Sequence, residues 1–172
     1  MVRISEIHTG IGSEHPFCDN IQLIMIILFF IVLAVDTISY FFFRYSTVLF
    51  SLISFPILII PGVIFLILSS YLIAKSHKAV FGNITNKAKL ITYGVYGWVR
   101  HPMYLGILLF CLSFFFFSLS ILSIIVWIAF FIIYEKMTVY EEKELVRILG
   151  DEYISYQNQV PKWFLGMRKH SK

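Results

Sequence analysis

An all-α integral membrane protein with about four transmembrane helices, the last two forming a C-terminal hairpin, is the fold this sequence predicts. Three observations carry the prediction. The 172 residues are 59% apolar and only 14% charged, with a mean hydropathy of +0.82, a composition that would leave a soluble domain of this size with an insoluble surface. Residues 102–134 hold no charged side chain, and as one straight helix they would run ~50 Å against a hydrocarbon core of ~30 Å. Of the 14 Lys and Arg, five lie in 75–100 and seven after residue 135, with none between. Basic flanks favour the cytoplasmic side, so both ends of the uncharged run belong on one side and the run must double back.

Each element follows in chain order. Residues 1–20 mix Arg3, Glu6, His8, Glu14, His15 and Asp19 and read as an N-terminal tail. The apolar segment 21–43 is too long for a signal peptide and lacks a small-residue cleavage site near its end, so it is expected to remain as the first membrane helix. The second run, 47–74, contains Pro56 and Pro61-Gly62, which should kink or break it. Lys75 to Arg100 reads as a water-facing loop. The hairpin is expected to turn at Ser118–Ser120, giving helices at 102–117 and 120–146, although that turn has neither Gly nor Pro. Gly150 is a natural helix C-cap. Residues 21–164 thus form one membrane domain, 165–172 a C-terminal tail, and both termini are expected in the cytoplasm.

Composition also narrows the function. A net charge of +4 is explained by loop bias, and no basic stripe with interleaved stacking aromatics points to nucleic acid. Cys18 and Cys111 are too few and too far apart for a disulfide framework or a metal cage. No metal is expected, and both cysteines read as packing residues.

Chemistry concentrates in two places. The first is the island Gly94-Val95-Tyr96-Gly97-Trp98-Val99-Arg100-His101-Pro102-Met103-Tyr104-Leu105-Gly106. An Arg-His pair directly before a membrane-depth helix is costly to keep dry, so it marks a site at the water interface. Arg100 offers a planar fork for a carboxylate, and Pro102 at a helix start leaves neighbouring N–H groups and the helix dipole available to anions. The second is the last helix, where Tyr134, Thr138, Glu141, Glu142, Leu145 and Leu149 recur with helical period while Lys136, Tyr140, Lys143 and Arg147 fall opposite. Adjacent carboxylates on an inward face point to a cationic or hydroxyl-rich ligand. The competing reading is a solvated helix end where charges are cheap.

Taken in order, Arg100-His101-Pro102-Met103-Tyr104-Leu105-Gly106, Glu141-Glu142-Lys143-Glu144-Leu145, and Leu149-Gly150-Asp151-Glu152-Tyr153 with Tyr156, Val160 and Pro161 resemble the isoprenylcysteine carboxyl methyltransferase and phospholipid methyltransferase family. The resemblance covers about residues 90–164. It implies an integral membrane enzyme that uses S-adenosylmethionine, held in a cytoplasm-facing pocket between the hairpin and the loop before it. By the resemblance, Tyr96, Val99, His101, Pro102 and Tyr104 line the cofactor cavity. Arg100 meets a carboxylate of cofactor or substrate, and Glu142, supported by Glu141, meets the cofactor or the reaction centre. Arg100 and Glu142 are thereby the catalytic candidates, Glu142 able to take a proton from an amine acceptor. The implied partner is a membrane lipid or lipidated substrate, such as an isoprenylated cysteine carboxylate or a phospholipid amine, with no nucleic acid and no obligate protein partner. Met137 stands where carboxyl methyltransferases of this family carry an Arg, which leaves the acceptor open.

Two other functions compete. An NADPH-dependent membrane reductase of the sterol-reductase architecture shares an Arg-x-Pro-x-Tyr-x-Gly element, but such enzymes carry Asn before the Tyr and Glu after the Gly, where this chain has Met103 and Ile107. A non-catalytic membrane protein of the same fold is the other. Asp36 is ionisable within the first span, hence functional by default unless it lies near the interface. His77 beside Lys78 reads as a solvated helix end or a substrate contact. Phe41–Phe43 and Phe114–Phe117 read as lipid-facing or packing residues.

Overall fold

A computed structural model describes residues 16–43, 55–81 and 90–164. Its regular structure is helical throughout: α1 Pro16–Phe43, α2 Phe55–Phe81, α3 Pro102–Ser118, α4 Ile121–Leu149 and α5 Asp151–Gln159, with one 3₁₀ turn at Gly94–Gly97. Among the described residues three segments are long and apolar enough to cross a membrane, Asn20–Ser39, Ile57–Val80 and Ile121–Leu149. The chain is an integral membrane protein. Helix α3 is equally apolar but has 17 residues, ~26 Å at the usual rise, a little short of the hydrocarbon thickness.

The outward faces carry the apolar residues that lipid requires. Ile24, Ile31, Val35 and Ile38 of α1 and Ile57, Ile60, Ile64 and Ile67 of α2 are all exposed, which water would penalise and acyl chains do not. Inside, Phe29 of α1 meets Tyr104, Ile107, Leu108 and Cys111 of α3 and Phe130 and Tyr134 of α4. Helix α3 is therefore the centre of the bundle, touching α1, α2 and α4.

Glycine sets the α2–α3 spacing. A Cβ on Gly106 would stand 2.7 Å from Cγ1 of Ile73 and 3.4 Å from the Ser69 carbonyl, and one on Gly62 would stand 2.9 Å from Cδ1 of Phe117. Close approach of two apolar helices through small residues is how packing proceeds in lipid, where no hydrophobic drive separates protein from solvent. The α3–α4 hairpin is tied at depth by Trp127, whose indole Nε1 donates to the Leu108 carbonyl at 2.8 Å.

The hairpin turns where expected, without glycine or proline. Leu119 takes the left-handed conformation at φ 48°, and its burial at 3% exposure compensates for part of the steric cost. Ser120 then caps α4, accepting from the Ser123 amide at 3.1 Å.

Several expected boundaries differ. Helix α2 continues to Phe81, so the segment from Lys75 onward is helix before it is loop, and it shows no break at Pro61. The proline forfeits one bond, to the carbonyl four residues earlier, close to the helix start where the cost is contained. Residues 47–54 of the expected second span lie outside the described residues. Helix α4 reaches Leu149, and Gly150 closes it at φ 57°. Helix α5, not foreseen, then folds back: Tyr153, Tyr156 and Val160 pack against Leu145, Val146, Leu149 and Leu90.

Candidate active site

The segment between α2 and α3 is held in shape from the far end of the chain. Gly94, at φ +63°, opens the 3₁₀ turn in a conformation that favours glycine, and the amides of Trp98 and Val99 both return to the Val95 carbonyl. The Tyr156 hydroxyl donates to the Tyr96 carbonyl at 2.7 Å, and the Arg100 amide donates to the Pro161 carbonyl at 3.0 Å. Helix α5 and its exit thus clamp the island, aiming two successive side chains at α4.

Those side chains meet the paired carboxylates. His101 Nε2 lies 2.9 Å from Oε1 of Glu142, and its Nδ1 lies 3.7 Å from Oε2 of Glu141. Arg100 Nε stands 3.0 Å from Glu142 Oε1, an ion pair whose N–H is not aimed along the contact. Its Nη1 donates to the Gln157 carbonyl at 2.8 Å. The Gln157 amide donates to Glu142 Oε2 at 3.2 Å, and the Tyr104 hydroxyl donates to Glu141. Both carboxylates are largely shielded, with side-chain exposures of 11% and 13%, so these contacts are made at reduced dielectric, where they are strong.

Burial sets the charge of the cluster. Removal from water pushes the His101 pKa below its usual value, and the adjacent Glu142 only partly opposes this. His101 is therefore neutral at physiological pH. Arg100 thus stands against two adjacent carboxylates, with Lys162 acting on the cluster from its pair with Glu135.

Beside it opens a cleft lined by Tyr96, Arg100, His101, Pro102, Tyr104 and Glu141, with Tyr153 and Tyr156 of α5 and Leu145 of α4 on its walls. Its enclosed part measures ≈ 90 Å³, room for one end of a nucleoside-sized ligand. Six of the eight residues expected around a cofactor border this cleft. The other two stand back from it: Val99 is fully buried, and Glu142 sits behind, binding Arg100, His101 and Gln157.

Sequence reasoning gave no site role to several participants, Tyr153 and Tyr156 having entered only as part of the resemblance. Gln157 and the lining tyrosines Tyr153 and Tyr156 share one face of α5, at spacings of three and four residues that a period search over 151–160 would detect. The Glu135 carboxylate holds both Lys162, at 2.6 Å, and the Trp163 indole, placing the Trp163 ring 6.1 Å from that of His101. Nothing local in the sequence signals that latch, which joins residues 27 and 28 positions apart. Of the remaining candidates, His77 is exposed near the end of α2 and does not border this cleft. Asp36 is also outside it, buried at 2% exposure, and its Oδ2 has no hydrogen-bond partner among the described residues.

Apolar helices long enough to cross a membrane, with a polar cluster at one end, place the chain among integral membrane proteins. A solved structure, described as the eukaryotic intramembrane Ras methyltransferase isoprenylcysteine carboxyl methyltransferase, superposes with a TM-score of 0.62 at 21% identity, covering 86% of this chain and 54% of that one. This chain spans about half the length of that protein, and the likeness is one of fold. The phospholipid methyltransferase family matches residues 50–152, more than half of the sequence, and the chain belongs to that family. No curated protein matches it significantly.

Proposed function

We propose that this protein transfers a methyl group from S-adenosylmethionine to a membrane-embedded amphiphile, such as an isoprenylated cysteine carboxylate or a phospholipid amine, at the cleft beside Arg100, His101, Glu141 and Glu142. The observation that carries the proposal is the meeting of Arg100 and His101 with the adjacent acids Glu141 and Glu142 beside the cleft, in a chain of the phospholipid methyltransferase family. The donor set fits the cofactor. Its sulfonium and ammonium outnumber its single carboxylate, and Glu141 borders the cleft with Glu142 close behind it, with tyrosine rings nearby that attract a cation. NADPH, with its phosphates, would enter an unfavourable field.

When bound, the cofactor supplies an already activated methyl group, so the protein's task is alignment and exclusion of water. Glu141 borders the cleft and faces the cationic end. Glu142 orients His101 and Arg100, whose guanidinium is engaged by the Glu142 carboxylate and the Gln157 carbonyl and lines the cleft. An amine acceptor must lose a proton; Glu142, expected to take it, stands behind the cleft, and His101, which lines the cleft and contacts Glu142, can receive it in its place. The apolar flanks of α2 and α3 let a lipidic acceptor approach from the bilayer. The cleft and both termini face the cytoplasm on this reading, because the basic residues flank that end.

Calorimetric titration of the purified protein in detergent tests it. S-adenosylhomocysteine should bind, and NADPH should not. Saturable NADPH binding without S-adenosylhomocysteine binding would return the chain to the reductase reading.

A further inference from the structure

A second cleft lies on the other side of the island. It is bounded by Tyr71, Lys75 and Lys78 of α2 and by Tyr93, Gly94 and Val95, and encloses ≈ 340 Å³, roomier than the first. Val95 is buried beneath it at 3% exposure, and the cleft shares no lining residue with the cleft at Arg100. Nothing in the proposed reaction uses it.

Its chemistry is cationic and aromatic. Lys75 and Lys78 are both exposed and one helical turn apart, and among the described residues neither has a carboxylate within ion-pair distance. The Lys75 ammonium lies 5.8 Å from the centre of the Tyr71 ring, and that ring stacks on Trp98 at 6.4 Å with planes 21° apart. The pair of ammoniums is therefore held at one wall of a preformed cavity. Two ammoniums on one helical turn make that wall electropositive, and an anion in the cleft is attracted by both.

Depth identifies the anion. The apolar span Ile57–Val80 has 24 residues, ~36 Å of helix against ~30 Å of hydrocarbon, so its last turns emerge among the headgroups. Tyr71, Tyr93 and Trp98 lie at the same end, the level at which aromatic side chains gather and lipid phosphates reside. An ammonium binds phosphate as a point charge, with no demand for a planar geometry.

We propose that this cleft is a binding site for the phosphate of an anionic membrane lipid, held between Lys75 and Lys78 with its acyl chains along the exposed apolar face of α2. Occupancy ties the lipid to Gly94–Val95, the start of the segment that carries Arg100 and His101. The site does not depend on the methyl acceptor or on methyl transfer.

The test is native mass spectrometry of the protein in an uncharged maltoside detergent, titrated with dihexanoyl phosphatidic acid. One lipid should bind saturably, and dihexanoylglycerol, which lacks only the phosphate, should not. Lys75→Gln with Lys78→Gln should weaken binding at least tenfold. Lys75→Arg with Lys78→Arg should retain it, and so should Lys136→Gln with Lys143→Gln on the exposed side of α4. Equal binding of dihexanoylglycerol, or affinity of the double Gln variant within twofold of wild type, overturns the proposal. Displacement of the lipid by an equal concentration of inorganic phosphate overturns it too, assigning the cleft to a soluble anion. Because S-adenosylhomocysteine binding is measured separately, loss of one site leaves the other to be judged by itself.

Discussion

At the scale of single residues, Glu142 and Glu144 share a helix and a charge but not an environment. Glu142 receives His101, Arg100 and Gln157 while largely buried; Glu144 pairs with Arg147, itself 75% exposed. Removing one partner of a buried charge network costs about 3–5 kcal/mol, whereas an exposed pair contributes about 0–1 kcal/mol. Glu142→Gln should therefore abolish most binding of S-adenosylhomocysteine and lower the melting temperature by several degrees, and Glu144→Gln should do neither, as calorimetry and thermal unfolding in one detergent will report. Arg100→Lys should weaken S-adenosylhomocysteine binding ten- to a hundred-fold, on the order of 1.5–3 kcal/mol for a charge-assisted bond, since an ammonium cannot hold Glu142 and Gln157 in one plane with a ligand. His101 adds a pH dependence. Its folded pKa lies below the unfolded value of about 6.5, so the unfolded chain takes up the proton first and stability falls as pH drops below that value. Wild type should lose more melting temperature between pH 7.5 and 5.5 than His101→Asn, by about 2–4 °C for each kcal/mol; equal losses would remove His101 from the account.

At the scale of elements, helix phase made the inward pair Glu141–Glu142 legible, and the basic flanks made the hairpin legible. Both signals are local or additive along the chain. The α5 clamp was not legible, because a polar helix of nine residues has no membrane-scale hydropathy and its contacts are long-range. The absent break at Pro61 escaped for a related reason: proline predicts a lost bond, while the packing that keeps the helix continuous is tertiary. Two elements invite tests. Gly106→Leu should separate α2 from α3 and cost about 1–3 kcal/mol by overpacking, seen as a lower melting temperature with cofactor-analogue binding weakened in proportion. Glu135→Ala should release Lys162 and Trp163, so hydrogen exchange of the amides in 160–164 should quicken while those in the middle of α4 stay protected. Unchanged exchange would mean the latch contributes no local stability.

At the scale of the whole molecule, the described residues give three helices long enough to span a membrane and one shorter apolar helix, with a polar cluster at one end, in a chain of the phospholipid methyltransferase family. The proposed orientation can be read in sealed vesicles after both native cysteines are changed to Ser. Tyr93→Cys and Phe164→Cys, each exposed, should label from one side, and Ile121→Cys at the hairpin turn from the other; labelling of Tyr93→Cys and Phe164→Cys from opposite sides would refute the hairpin topology. The most direct test of methyl transfer itself is to supply S-adenosylmethionine carrying a tritiated methyl group to the purified protein in nanodiscs containing phosphatidylethanolamine and an isoprenylated cysteine. Tritium should appear in the organic extract with the wild type, and the Glu141→Gln and Glu142→Gln variants should each fall to a tenth of that rate or less. Label confined to the aqueous phase while S-adenosylhomocysteine still binds, or transfer undiminished in both variants, would contradict the assignment of this cleft as a methyltransferase active site.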